Sequence, residues 1–289
     1  MLAQVQAAFP ELAKLALIPV TGGQKTVYSA TLKNTLVVLK IVHPSSSGDE
    51  RAAREVVAIE KLKAVAPLLR SPNVPQIYDS GKRGIGGDER YYIIEQYVDG
   101  TNLRQVLTAT PTLPIRDLLL LARCLLGACG DFSSVKMVHR DINPRNIMRD
   151  TNGSFWVIDL GLVRHLDMLS ITADGPYRGV LGTPGYAPIE VLNNEKGEVN
   201  CRADLFSSGV VLYEAASGRN PYAHGARDFF EVFRRIENDD LPTLAIPGDT
   251  GNQFADLIAS LAQRYPSRRP QTSQEAADWL APILALHGI

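Results

Sequence analysis

Three oxygen-bearing side chains have the types and the spacing that could handle a phosphate and a divalent metal. Asp141 and Asn146 lie in the loop from His139 to Asn146, which reads His-Arg-Asp-Ile-Asn-Pro-Arg-Asn. A short apolar run, Phe155 to Ile158, then leads to Asp159. Carboxylate and amide oxygens suit Mg²⁺, and a further carboxylate can orient a substrate hydroxyl. This order of residues indicates magnesium-assisted phosphoryl transfer.

Each piece alone has an ordinary explanation, because Asp in a polar loop is usually a turn former or a helix cap. The spacing, the apolar strand and the Asp-Leu-Gly turn would all have to coincide for that explanation to hold. Together they resemble the eukaryotic-like protein kinases of the Ser/Thr type, whose loop reads H-R-D-L-K-P-x-N before D-F-G. Asn143 replaces the family's lysine, and Leu160 replaces its phenylalanine.

The resemblance implies a role for each residue of this loop. Asp141 would act as the catalytic base, while Asn146 and Asp159 would hold Mg bound to ATP. The missing lysine stabilises charge on the transferring phosphate in relatives, so Asn143 admits either a compensating residue or a pseudokinase.

Upstream, a strand of β-branched residues contains one lysine, Lys40. In the family this lysine contacts the α- and β-phosphates and pairs with a helix glutamate. Glu55 and Glu60 lie in the next helical segment, and Glu55 is favoured because its neighbours match the family's helix motif. The alternative for Lys40 is a charge that protects an edge strand from aggregation.

The segment from Val20 to Tyr28 resembles the family's glycine-rich loop but keeps its pattern only in part. Gly22 and Gly23 permit a tight turn close to phosphate, and Val27 follows as a cofactor-binding candidate. Lys25 stands where the family has its third glycine. Because one cation is gained here and one is lost at Asn143, we expect Lys25 to compensate; the alternative is a solvated charge at a hairpin tip.

The hinge of the resemblance falls near Gln96 to Gly100, which makes Gln96 and Val98 candidates for binding the nucleotide. The same alignment puts Glu95 at the gatekeeper position behind the adenine, where an apolar residue is common. A buried carboxylate needs a partner, and Lys40 is one candidate. A slip of one residue would restore Ile94, and the sequence leaves both open.

Downstream, residues 182–190 resemble the end of an activation segment and the substrate platform of Ser/Thr kinases. The resemblance pairs Glu190 with Arg269 in a buried ion pair and makes Asp204 a brace for the catalytic loop. Residues 159–190 also contain hydroxyls that could be self-phosphorylated, with Ser170 and Thr172 favoured. A phosphate there could order the segment through arginine contacts.

Composition agrees with a globular enzyme. The chain has 289 residues, of which 45% are hydrophobic and 21% charged, enough for two packed lobes. A net charge of −1 favours neither nucleic-acid nor membrane binding. No apolar run is long enough to span a bilayer, and three scattered cysteines suit neither a disulfide framework nor a zinc site. A cytoplasmic location is the expectation.

The implied fold is α+β, with the two lobes of a protein kinase. A β-rich N-lobe over residues 1–97 carries an N-terminal extension helix, predicted within residues 1–18. A helical C-lobe covers residues 98–289, and helical periodicity predicts its main helices. They fall at residues 115–132, 204–216, 228–237, 253–262 and 273–284.

The function implied is transfer of the ATP γ-phosphate to Ser or Thr hydroxyls of a protein substrate. Two alternatives stay open. A pseudokinase that binds nucleotide as a scaffold would explain Asn143 and the degenerate glycine loop. A small-molecule phosphotransferase of related fold fits less well, because Glu190, Asp204 and Arg269 resemble the framework of kinases that act on proteins.

Overall fold

The chain divides into two compact units. A computed structural model describes residues 1–19, 25–43, 72–159, 164–165, 183–193, 195 and 199–289. The sheet unit comprises Met1–Arg70 with Pro75–Val98, and the helical unit comprises Ser71–Val74 with Asp99–Ile289. The division after Val98 lies next to the boundary proposed from sequence.

The sheet unit is built on an antiparallel sheet. Its strand order is β1-β2-β3-β5-β4, which puts β3 at the centre. The elements of this unit are α1 (Leu2–Ala8), β1 (Leu12–Ile18), β2 (Lys25–Leu32), β3 (Thr35–Val42), β4 (Ile77–Ile85) and β5 (Asp88–Gln96). Lys40 therefore lies on a central strand, and the edge-strand explanation for this lysine is wrong.

The N-terminal helix is shorter than the segment from which it was predicted. Helix α1 ends at Ala8, and the chain continues as strand β1 after a turn at Pro10 and Glu11. Pro10 cannot continue the helical hydrogen-bond pattern, and the apolar residues after it pair with β2 instead. The helix packs against the sheet as expected, because Val5 and Phe9 belong to the buried cluster of this unit.

A two-residue turn at Gly86 and Gly87 joins β4 to β5. Both glycines have positive φ, at 63° and 99°, which the primed hairpin turns require. Although residues 81–88 are rich in glycine, the strands extend to Ile85 and Asp88, so the loop of this hairpin is only the two-residue turn.

The helical unit packs long helices around a buried central one. Its helices are α2 (Leu103–Ala109), α3 (Ile115–Ser134), α4 (Ile189–Leu192), α5 (Cys201–Ser217), α6 (Phe229–Asn238), α7 (Gln253–Leu261) and α8 (Ser273–Leu286). Helix α5 is buried from Ala203 to Ala215 and lies between α3 and α7. Gly209 permits that contact, since a Cβ there would lie 2.8 Å from the backbone nitrogen of Ala262.

Short strands in the helical unit hold the loop that carries Asp141. They are β6 (Gly100–Asn102), β7 (Met137–Val138), β8 (Ile147–Asp150), β9 (Phe155–Val157) and β10 (Arg164–His165). Strand β8 pairs with β6 and β9, and β7 pairs with β10. Gly100 is required beside β8, because a Cβ at this position would lie 2.1 Å from the carbonyl oxygen of Arg149.

The predicted fold class is confirmed, since a β-sheet unit precedes a helical unit. The predicted C-lobe helices are also present, with bounds shifted by a few residues at most. Asn200, Asp228 and Thr272 accept the side-chain hydrogen bonds that cap α5, α6 and α8. The caps at Asp228 and Thr272 explain why the starts of α6 and α8 could be predicted to within one residue.

Candidate active site

Hydrogen bonds to a buried aspartate hold the backbone of the loop that carries Asp141. Asp204 accepts hydrogen bonds from the backbone nitrogens of His139 and Arg140, at 2.7 and 2.9 Å. Burial raises the pKa of Asp204, and these N–H donors and His139 oppose that rise. The brace expected from sequence is therefore present.

His139 connects this loop to the strand before Asp159. Its Nδ1 accepts a hydrogen bond from the backbone nitrogen of Asp141 at 3.3 Å, so Nε2 is the donor toward the Ile158 carbonyl oxygen, also at 3.3 Å. The ring is fully buried and packs against Phe132, with centroids 5.6 Å apart. The two segments that carry the candidate residues are thus held together through one side chain.

The carboxylate of Asp141 is held by neutral donors. Its Oδ1 accepts from the Thr183 hydroxyl at 2.7 Å and from Asn143 Nδ2 at 3.0 Å. Its Oδ2 accepts from Asn146 Nδ2 at 2.8 Å. Asp141 is partly exposed. The group is therefore oriented without a neighbouring positive charge among these contacts and stays accessible to a substrate.

Asn143, the departure from the family pattern, takes part in this network. The side chain is buried, with 2% of its surface exposed, and Nδ2 lies 3.1 Å from the Thr183 hydroxyl as well as close to Asp141. Its Oδ1 accepts from the backbone nitrogen of Arg145 and begins the turn Pro144–Asn146. The amide thus orients Asp141 and shapes the turn, but it brings no charge.

Thr183 is the functional candidate that sequence reasoning missed. It was treated as part of a substrate-platform motif and as one hydroxyl of the activation segment. In the structure it donates to Asp141 and contacts Asn143. Its position in the Gly-Thr-Pro sequence was the available signal, but no local pattern indicates a contact with a residue 42 positions earlier.

Asn146 and Asp159 have the donor atoms and backbone linkage that a magnesium site needs. Two hydrogen bonds of the Asn146 side chain use Nδ2 as the donor, and its side-chain oxygen Oδ1 is the atom that suits Mg²⁺. The backbone nitrogen of Ile158 donates to the backbone carbonyl oxygen of Asn146 at 2.8 Å, and this bond extends the pairing of β8 with β9. Asp159 is the next residue along the chain, so this hydrogen bond brings the segments that carry Asn146 and Asp159 side by side.

Backbone strain marks the same two segments. Arg140 and Asp159 have φ values of 64° and 65°, in the left-handed region that non-glycine residues seldom adopt. Such conformations persist where the surrounding structure enforces them, and they concentrate at functional sites. Among the described residues, no cluster of three His, Cys, Asp or Glu side chains could hold a metal.

In the sheet unit, Lys40 forms a buried ion pair with Glu95. Lys40 Nζ lies 2.7 Å from Glu95 Oε1, and the two side chains are 8% and 7% exposed. Val27 lies opposite Lys40 in the β2–β3 pairing, and Lys25 is the first residue of β2. Because side chains alternate along a strand, Lys25, Val27 and Lys40 share one face of the sheet. Lys25 begins this strand and is partly exposed, and its proposed role stays a prediction.

The glycine candidates and the helix glutamate lie outside the described residues. This applies to Gly22, Gly23 and Glu55, and also to the favoured phosphorylation sites Ser170 and Thr172. Their proposed roles remain predictions.

Strand β5 ends at the predicted hinge. The backbone nitrogen of Gln96 donates to Gln76 at 2.8 Å, and the partly exposed Val98 lies beyond the strand. Ile94 is buried in the cluster that α1 covers, whereas Glu95 belongs to the opposite face with Lys40. Only Glu95 of the two gatekeeper candidates therefore shares the face of Lys40.

The ion pair expected between Glu190 and Arg269 is present and buried. Arg269 Nη1 and Nη2 donate to the two carboxylate oxygens at 2.6 and 3.1 Å. The guanidinium also lies over the ring of Phe206, 4.9 Å from its centroid. This pair ties the start of α4 to the chain after α7.

The family comparison agrees with this geometry. The model of the protein kinase domain matches residues 21–280. The chain is 27% identical over 267 residues to a probable serine/threonine-protein kinase, pknA2, of Bifidobacterium longum. It is also 29% identical over 251 residues to PknL, and 28% over 280 residues to PknA, both serine/threonine-protein kinases of Mycobacterium tuberculosis. The chain belongs to the protein kinase domain family.

These matches cover most of this chain but only part of each relative. They cover 91%, 86% and 94% of the chain, and 34%, 60% and 61% of pknA2, PknL and PknA respectively. Across the portion of the chain that the structure describes, no helix is both long enough and apolar enough to cross a membrane.

Proposed function

We propose that this chain is a protein kinase that transfers the γ-phosphate of ATP to Ser or Thr hydroxyls of a protein substrate. The carrying observation is the Asp141 carboxylate, which Thr183, Asn143 and Asn146 hold in one orientation while it stays partly exposed. A general base must reach the proton it removes, and this arrangement presents an acceptor with a fixed direction. The names of the relatives support the same activity.

Asp141 serves as the base that orients and accepts the proton of the substrate hydroxyl. Thr183 links the base to the substrate platform that follows it, because its hydroxyl donates to the base itself. The Gly-Thr-Pro-Gly-Tyr sequence, which resembles the substrate platform of Ser/Thr kinases, supports Ser/Thr rather than Tyr substrates. Asp204 and His139 position the loop without contacting the substrate.

ATP and Mg²⁺ are the cofactors that the remaining candidates fit. Asn146 and Asp159 would hold Mg²⁺ through oxygen atoms, and the bound ion would neutralise charge on the phosphates. Lys40 would bind the α- and β-phosphates. Val27, Gln96 and Val98 would contact the nucleotide, with Gly22 and Gly23 covering its phosphates and Glu55 assisting Lys40.

Asn143 and Lys25 would share the work of the missing lysine. Asn143 keeps the bridge between Asp141 and Thr183 with a neutral amide. The charge would come from Lys25, on the same face of the sheet as Lys40. A lysine ammonium is a compact charge on a flexible stem, so it can approach a phosphate from more than one side.

A pseudokinase is the second candidate, and Asn143 is the observation that favours it. A neutral amide cannot supply the positive charge that relatives place beside the transferring phosphate. Such a protein would bind nucleotide and act as a scaffold without turnover. Measured transfer separates the two candidates.

The test is transfer of label from γ-labelled ATP with Mg²⁺ to generic protein acceptors, followed by identification of the labelled amino acid. We expect phosphoserine or phosphothreonine from the wild type and a loss of at least ~10²-fold in Asp141→Asn, because this change removes the base and keeps the shape. Asp256→Asn is the matched control, since Asp256 is exposed on α7. Transfer at the wild-type rate in Asp141→Asn would contradict the proposal, and nucleotide binding without transfer would establish the pseudokinase.

The same incubation tests self-phosphorylation within residues 159–190. Peptide mapping should find phosphate on Ser170 or Thr172. An active enzyme with no phosphate in this segment, and no loss of activity when both are changed to Ala, contradicts this part of the proposal.

A further inference from the structure

Glu95, a glutamate of the sheet itself, pairs with Lys40. Val38 lies opposite Glu95, and Lys40 lies opposite Ile93, in the β3–β5 pairing. Residues two apart on a strand share a face, so Lys40 and Glu95 are diagonal neighbours on that face. This register explains how an ammonium and a carboxylate come within 2.7 Å at the centre of a sheet.

A carboxylate at position 95 needs a compensating reason. Its strand neighbours Ile93 and Ile94 are buried hydrophobic residues, and Glu95 itself is 5% exposed. Burying a carboxylate is costly unless it is paired and hydrogen-bonded. An apolar side chain would avoid that cost, so the glutamate is explained by what it does for Lys40.

We propose that Glu95 is a positioning residue for Lys40 and holds the ammonium in place for the ATP phosphates, an inference that rests on the proposed function. Strands β3 and β5 are hydrogen-bonded neighbours, so their register fixes the position of the Glu95 side chain relative to that of Lys40. An ammonium has three N–H donors and can contact a phosphate while one donor stays on the carboxylate. The gatekeeper position is thus occupied by a charged residue, which assists phosphate binding through Lys40.

A positioning role and a purely electrostatic role of Glu95 predict opposite changes in ATP affinity when the carboxylate is removed. A carboxylate that acted only through its charge would repel a triphosphate, so its removal would strengthen ATP binding. A positioning carboxylate has the opposite effect, because Lys40 loses its fixed orientation. We expect Glu95→Gln to weaken ATP binding by about tenfold, the size of one charge-assisted hydrogen bond.

Calorimetric titration with ATP and with adenosine provides the test. Adenosine has no phosphates, so its affinity should stay unchanged in Glu95→Gln while that of ATP falls. In a Lys40→Met background, Glu95→Gln should no longer weaken ATP binding, because the ammonium that the carboxylate positions is gone. Glu89→Gln removes the same charge from an exposed site on the same strand and should alter neither affinity.

The outcomes are separable from failure of the proposed function. If Lys40→Met leaves ATP affinity unchanged, the assignment of Lys40 as the phosphate-binding residue fails first. If Lys40→Met weakens ATP binding and Glu95→Gln leaves it unchanged or strengthens it, the positioning role is wrong. Equal loss of ATP and adenosine binding would show that Glu95 only shapes the pocket, which also overturns the inference. Should Glu95→Gln fail to fold, Glu95→Asp keeps the charge with a shorter reach and should give the same selective loss of ATP.

Discussion

In the part of the chain that the structure describes, each unit contains a buried ion pair, and the two pairs differ in the cation. In the helical unit, the side chains of Arg269 and Glu190 are 0% and 1% exposed. In the sheet unit, Lys40 and Glu95 are 8% and 7% exposed. Both pairs pay the cost of removing charges from water, so each needs a reason to exist.

The guanidinium of Arg269 has an acceptor for each of its N–H groups. Nε donates to Gln263, while Nη1 and Nη2 donate to both oxygens of Glu190. The remaining bonds go to the backbone oxygens of Arg202 and Arg264. A planar group with all five donors engaged is fixed in place. This pair holds separate stretches of chain together.

Lys40 differs from Arg269 because its ammonium is a compact group on a flexible four-carbon stem. It can redirect its N–H donors, whereas the donors of a guanidinium are fixed in one plane. Glu95 lies on the neighbouring strand, so its pair with Lys40 joins no distant segments. Burial is therefore shared by the two pairs, whereas the cation and the origin of its acceptors differ. Arg269 is suited to holding segments together, and Lys40 is suited to the ligand-binding role proposed for it.

The largest effect should come from breaking the structural pair. Arg269→Ala leaves Glu190 buried without its charge partner, and we expect the free energy of unfolding to fall by about 3–5 kcal/mol. Urea denaturation measures this loss. Arg268→Ala is the matched control, because Arg268 is exposed, and it should stay within about 0.5 kcal/mol of the wild type. A loss below about 1 kcal/mol in Arg269→Ala would contradict the role assigned to the pair.

The proposed catalytic residues should show their main effect on activity. Lys40→Ala and Asp159→Ala should each reduce the rate of phosphoryl transfer at least ~10²-fold, as removal of a preorganised electrostatic group does. The unfolding of both variants should stay cooperative, although Lys40→Ala also lowers the free energy of unfolding because it leaves Glu95 buried without this charge partner. Steady-state transfer and thermal unfolding test both statements, with the exposed Lys82→Ala as control. Full turnover by purified Asp159→Ala would end the kinase interpretation.

The helical unit was the easier of the two to predict from sequence. Helical periodicity and caps such as Asp228 and Thr272 are local signals, and the motif around Asp141 has a fixed spacing. The buried pair of Glu190 with Arg269 was predicted only because the chain resembles a known family. Nothing local relates two residues 79 positions apart.

The sheet unit shows where local reasoning ends. The residues of β1 were predicted as helix. The apolar segment after Pro10 forms a strand because it pairs with β2, and this tertiary contact is not visible in the local sequence. The partner of Lys40 was also open, since strand register decides which glutamate faces it. Thr183 escaped notice for the same reason, as its contact with Asp141 depends on long-range packing.

A smaller effect should follow from the proposed sharing of charge between Lys25 and Asn143. Lys25→Ala should lower kcat by ~10- to 10²-fold if its ammonium replaces the missing lysine, because it then acts on the transferring phosphate. The loss should shrink in an Asn143→Lys background, where the family's charge is restored. Rates of the wild type, both single variants and the double variant form the cycle. Effects that add within about 0.5 kcal/mol mean that the residues act independently and that compensation is wrong.

The smallest effect should come from an ion-pair cluster at the surface, which sharpens the contrast with the two buried pairs. On α6, Glu231 accepts from the backbone nitrogen of Arg227 at 2.9 Å and from Arg235 Nη2 at 2.6 Å. That backbone hydrogen bond and the two guanidiniums lower the pKa of Glu231 from 4.5 to about 2.

A carboxyl group with a lowered pKa stabilises the folded state above its unfolded pKa, and this contribution is lost as pH falls from 4.5 toward 2. The difference in unfolding free energy between wild type and Glu231→Gln should therefore narrow over that range, and it should also shrink with added salt. Denaturation of both proteins at a series of pH values measures the difference, and Glu237→Gln, exposed on the same helix, is the control. A difference that stays constant from pH 6 to pH 2.5 would show that these contacts do not favour the charged form of Glu231.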